Sequence, residues 1–127
     1  MANAAEASLY RRLGGYDAIA AATDDLLTRL TSDPQLGPYW KGHSKDSMRR
    51  DRQLVVDFLC YATGGPVEYR GRDMKTSHEG LGISESDWQL FVAHTKATLD
   101  KFAVPAREQE EFLTAAASLK GDIVEGA

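Results

Sequence analysis

The chain has 127 residues, enough for one domain and too few for two ordinary ones. With 43% hydrophobic and 27% charged residues it has the composition of a folded globular protein, and no apolar run nears the ~20 residues of a membrane-spanning helix. A net charge of −4 with scattered Lys and Arg argues against a nucleic-acid surface, and a single cysteine, Cys60, excludes an internal disulfide or a multi-cysteine zinc site.

The N-terminal stretch Met1-Ala2-Asn3-Ala4-Ala5-Glu6 lacks the basic cluster and apolar run of a signal peptide, so a cytoplasmic address is expected. From Tyr16 to Leu30 the apolar residues Tyr16, Ile19, Ala20, Leu26, Leu27 and Leu30 recur at helical spacing and predict a helix with one buried face. Gly14-Gly15 precedes it; Ser32-Asp33-Pro34 ends it and opens a short helical turn through Trp40. A second long helix is expected from Asp46 to Ala62. Met48, Val55, Phe58, Leu59 and Ala62 form its apolar face, Arg49, Arg50, Arg52 and Asp57 its polar flank, and Gly64-Gly65-Pro66 its stop. Residues 67–73 read as a loop, followed by a short helix from Met74 to about Glu79 that ends at Gly80 and Gly82. Ser84 with Asp87 three residues on is close to a capping box and opens a helix lined by Trp88, Phe91, Val92, Thr95, Leu99 and Phe102. Beyond Val104-Pro105 a last helix carries Phe112, Ala115, Ala116, Leu119 and Ile123. No segment alternates like a strand, so the fold class is all-α, one domain over residues 1–127 with about five or six helices.

Chemistry has few candidates. There is no HExxH, Walker loop or dinucleotide fingerprint, and Cys60 sits mid-helix among apolar residues as a core thiol. Of three histidines, His94 borders an apolar face and reads as a hydrogen-bonded core residue. His43 lies in a loop, as a solvent-exposed side chain or a distal ligand to iron. His78 stands on a short helix before a Gly-rich exit: either a helix-end histidine, or the neutral imidazole that a single axial bond to haem iron requires. Tyr39, Trp40, Phe58, Phe91 and Phe102 are either plain core or the walls of a flat aromatic cofactor. Arg49, Arg50 and Arg52 are either a solvated face or partners for porphyrin propionates.

Three ordered motifs then resemble one family. Leu9-Tyr10-Arg11-Arg12-Leu13-Gly14-Gly15-Tyr16-Asp17-Ala18-Ile19 resembles the opening of a group I truncated haemoglobin, and Gly64-Gly65-Pro66 that family's second glycine pair. The run Tyr69-Arg70-Gly71-Arg72-Asp73-Met74-Lys75-Thr76-Ser77-His78 is similar to the family's Tyr-x-Gly-x-x-Met-Lys-x-x-His, and Val104-Pro105 to the Val-Pro before its last helix. The resemblance spans residues 9–124 and implies a truncated globin two-over-two helical sandwich. Helices B and E (residues 16–31 and 46–63) would pack over G and H (residues 84–102 and 105–125), around haem b, iron protoporphyrin IX. It implies His78 as proximal iron ligand, Trp40 as a ring packed on the haem and Lys75 as a cation near a propionate, with Tyr69 and Met74 in the run that leads to His78. Arg52 joins the propionate partners.

The distal side departs from the family. Asp51, Leu54, Val55 and Phe58 are presented by the distal helix, with Leu27 where many members carry a tyrosine donor and Val55 where many carry a glutamine. The leading function is therefore reversible binding of oxygen or another diatomic gas, nitric oxide or carbon monoxide, with Leu27, Val55 and Phe58 excluding water. The alternative is a haem-dependent nitric oxide dioxygenase or peroxidase-like enzyme, which needs an external reductase; an apolar pocket gives peroxide cleavage no acid–base group. A helical module that binds a partner protein is a third reading, without an exposed apolar stripe to support it.

Overall fold

A computed structural model describes residues 7–125; the stretch tested above for a leader, residues 1–6, lies outside them, as do the last two residues of the expected domain. The elements are α1 (Leu9–Arg12), α2 (Gly15–Ser32), a 3-10 turn (Gly37–Trp40), α3 (Lys45–Ala62), α4 (Met74–His78), α5 (Glu85–Lys101), α6 (Ala106–Ala117) and α7 (Lys120–Ile123). The central helix is α2, packed on both α3 and α5; α1 bridges α2 and α6, and α4 rests on α7. Among the described residues every regular element is helical, as the periodicity requires, and no helix is long and apolar enough to cross a membrane.

The two glycine-bearing motifs meet through Tyr10. Tyr10 N donates to Thr63 O at 2.9 Å, which lays the Tyr10 ring over Gly65. A Cβ on Gly65 would stand 2.5 Å from Tyr10 Cδ1, so only glycine admits that ring. One short motif at the start of the chain is thus keyed to another at the end of α3.

The core has two parts. In the first, Val56 and Cys60, both with no exposed surface, pack on Ile19 and Ala20 of α2, with Tyr10, Leu13, Leu59 and Val67 around them. Burial pushes the Cys60 thiol above its ordinary pKa, which keeps it an inert core group. In the second, Leu26, Leu30 and Leu36 gather Leu27, Tyr39, Trp40, Leu90 and Phe91. Asp25 ties α2 to α5 through Thr98 (2.7 Å) and Lys101 (2.9 Å), and with Arg29 at 2.7 Å its carboxyl is held well below the usual range. Arg12 ties α1 to α6 through Glu108 and Glu111.

Two expectations are corrected. The buried line of α3 is Val56–Cys60, not the face through Val55 and Phe58, which stays half-buried. Both faces are apolar; the one against α2 is closed by protein, and the other is not. The last helix is also not continuous. Leu119 N reaches Ala116 O instead of the carbonyl four residues back, and the Ser118 hydroxyl donates to Ala115 O at 2.6 Å, so the ladder slips and α6 ends at Ala117 before α7 begins.

Candidate functional site

The short helix α4 is capped by Asp73, whose side chain accepts from Thr76 N at 2.8 Å. Its last residue, His78, is half-buried, with Nδ1 2.8 Å from Met74 O and 3.0 Å from Ser77 Oγ. A carbonyl only accepts, so the proton sits on Nδ1 and the Nε2 lone pair is left without a protein partner. An oriented imidazole with one unpartnered nitrogen is suited to a single metal bond, and the backbone acceptor behind it fixes the ring. Among the described residues no three His, Cys, Asp or Glu side chains gather at one point, so the chain offers this bond singly rather than as a metal cage.

The walls expected around such a bond are partly assembled. Phe58 of α3 meets Tyr69 of the following loop edge-on, ring centroids 5.2 Å apart, and the Tyr69 hydroxyl donates to Arg72 O at 2.5 Å. This pins the loop that leads into Met74 and α4. Leu27 and Trp40 each pack against the second core cluster, both half-buried. Val55 is half-buried, and Leu54 and Tyr61 at the edge of the same α3 face are 41% and 58% exposed. This face of α3 is therefore apolar and only half covered by protein. Lys75 is exposed on α4.

Arg52 points to α2. Its guanidinium makes a two-pronged pair with Asp24 of α2, at 2.7 and 3.1 Å, so it braces α3 against α2. Arg49 pairs with Asp46 one turn away, and Arg50 is exposed. The spacing of the three arginines is a polar flank, as their helix position first suggested.

The other histidines are committed elsewhere. His94 Nε2 meets Asp33 Oδ2 at 2.7 Å, which holds the Asp33 carboxyl below its usual range. His43 Nδ1 lies 3.2 Å from Asp51 Oδ2, tying the loop before α3 to the helix.

One polar cluster was not anticipated. The Tyr39 hydroxyl donates to Asp87 Oδ2 at 2.5 Å, and Gln35 Nε2 donates to Asp87 Oδ1 at 2.6 Å. The Ser84–Asp87 capping box was the legible part of it. Asp87 is buried; chiefly through its bond with Tyr39, its carboxyl is pulled down to about 2, and chiefly through the same bond the phenol is pushed up to about 12. The bond anchors the turn bearing Trp40 to the start of α5. Tyr39→Phe should cost about 1–3 kcal/mol, since it leaves a buried carboxylate short of a donor. Because the folded carboxyl titrates low, its contribution is complete above about pH 4 and is lost as pH falls through about 2. Urea midpoints between pH 2 and 5 should therefore fall more steeply for the native chain than for Tyr39→Phe, and the two curves should converge at the acid end.

The sequence matches the bacterial-like globin family over residues 8–125. It is 33% identical over 120 residues to a group 1 truncated haemoglobin of Mycolicibacterium paratuberculosis, covering 94% of this chain and 86% of that one. To a group 1 truncated haemoglobin of Chlamydomonas moewusii it is 31% identical, covering 92% and 68%. Its fold is similar to crystal structures of the Tetrahymena pyriformis truncated haemoglobin in the Fe(III) form (TM-score 0.87, 22% identity, 94% and 100% covered). It is also similar to that of the Synechococcus 2/2 haemoglobin in the cyanomet state with covalently attached haem (TM-score 0.83, 25% identity, 93% and 98% covered).

Proposed function

The chain belongs to the group 1 truncated haemoglobins, with their all-α two-over-two fold and their haem, and from that premise we propose that it binds a diatomic gas reversibly at haem b held by His78. The observation that carries this reading is the Nδ1–H bond of His78 to Met74 O, which leaves Nε2 as the ligand atom. Haem, when bound, supplies the iron that takes the gas. Everything else is done by side chains. His78 would hold the iron, and Lys75, exposed on α4, would pair with a propionate. Trp40, Leu27, Val55, Phe58, Tyr69 and Met74, all half-buried, keep water from the ring. The sole thiol, Cys60, has no exposed surface, which supports haem held without a thioether bond.

The absorbance spectrum of the purified protein tests this. The ferrous form without added gas should be five-coordinate, because Leu27, Val55 and Phe58 offer no ligand and His43 is paired with Asp51. A six-coordinate low-spin ferrous spectrum, lost in His43→Ala or Met48→Ala, would show the loop before α3 or the first turns of that helix folding onto the iron.

A further inference from the structure

Gly80 and Gly82 both lie at positive φ, 86° and 70°. That alternation turns successive N–H groups toward one side of the exit from α4, a concavity suited to an anion. The anion is supplied by the chain itself. Gly80 N donates to Glu125 Oε2 at 3.0 Å and Gly82 N to Glu125 Oε1 at 2.7 Å, so one carboxylate holds both amides. Glu125 N donates in turn to Ile83 O at 2.8 Å, and α7 packs on α4. Between the two clamped amides, Leu81 N donates to His78 O at 3.2 Å. The carbonyl of the ligand histidine and the carboxylate of Glu125 therefore grip the same loop.

A helix of five residues cannot hold its own direction; one turn is unstable alone, and its ends decide where it points. Asp73 caps the start of α4, and what anchors the other end is Glu125.

We propose that Glu125 is a positioning residue for the iron ligand, clamping the Gly80-Leu81-Gly82 segment so that His78 Nε2 keeps one direction. The role rests on His78 being that ligand.

The test uses the haem-loaded protein as purified, with two readouts: amide hydrogen exchange at Gly80 and Gly82, and the iron–histidine stretching band of the ferrous form by resonance Raman. Glu125→Ala should speed exchange at those two amides by about tenfold or more, the loss expected for a bond to a charged acceptor. It should also shift or broaden the band. Glu125→Gln, whose amide oxygen accepts from only one of the two, should fall between. Lys120→Ala removes the 2.7 Å pair with Glu85 from the same C-terminal segment and should leave both readouts unchanged. An unchanged band in Glu125→Ala overturns the proposal, as does an equal shift in Lys120→Ala or exchange that rises evenly along the chain. A native protein that takes up no haem overturns the reading of His78 and the positioning role with it, while the exchange rates still report whether the clamp exists.

Discussion

Replacing His78 with alanine should abolish the native haem spectrum and leave the helical fold standing. His78 is half-buried and its ring hydrogen-bonds only within its own short helix, to Met74 O and Ser77 Oγ, so its loss opens no core cavity. It does remove the one nitrogen that α4 presents for a metal. Losing a partner that merely orients a metal ligand costs about 10–100-fold in metal affinity; losing the ligand itself should cost at least as much. Haem transfer to an excess of a haem-scavenging protein should accelerate by about 100-fold or more, with far-ultraviolet circular dichroism little changed. His94→Ala is the control. Its Nε2 is bonded to Asp33, so that variant should keep the spectrum and lose only stability. An unchanged spectrum in His78→Ala together with a lost one in His94→Ala would move the ligand to α5.

The contrast between those two histidines shows what a sequence displays and what it conceals. His78 stands out because everything that defines it is local: a capping Asp73, one turn of helix, and glycines to leave it by. The helices were legible for the same reason, since burial on one face writes a 3.6-residue period into the chain. The partners of Arg52, Tyr39 and Gly80 were not legible. Asp24 is 28 residues from Arg52, Asp87 is 48 from Tyr39, and Glu125 is 45 from Gly80. No local pattern ties such pairs, because the fold makes them neighbours. Periodicity also fails where two adjacent helix faces are both apolar. On α3 the step from Val55 to Val56 is one residue, yet Val56 is sealed against α2 while Val55 stands on the half-open face. An average over the helix cannot tell a face closed by protein from one left half-open.

That half-open face governs the largest kinetic effect expected of this chain, the release of oxygen. Oxygen draws negative charge when it binds, and a hydrogen-bond donor beside it slows its escape. The walls here give none: Leu27 and Val55 have no polar hydrogen. The polar side chains nearby are engaged elsewhere. Gln53 donates to Tyr16 Oη at 2.8 Å and to Asp57 Oδ1 at 2.9 Å, and Asp51 is paired with His43. A neutral hydrogen bond contributes about 0.5–1.5 kcal/mol, more in a dry site, and each 1.4 kcal/mol is about tenfold in a rate. Missing two donors should therefore speed oxygen release by about one to two orders of magnitude relative to a donor-bearing relative. Carbon monoxide, less polar when held, should be affected less. Leu27→Tyr should reverse part of this, since Leu27 is half-buried at the edge of the second core cluster and a hydroxyl there reaches beyond the leucine methyls. Stopped-flow dissociation of both gases from the native chain and from Leu27→Tyr gives the answer. Slow oxygen release from the native chain, unaltered in Leu27→Tyr, would mean that a donor stands over the iron. Asp51, holding a water once His43 lets it go, would be the first group to mutate, because it lies one turn before Val55 on the same helix.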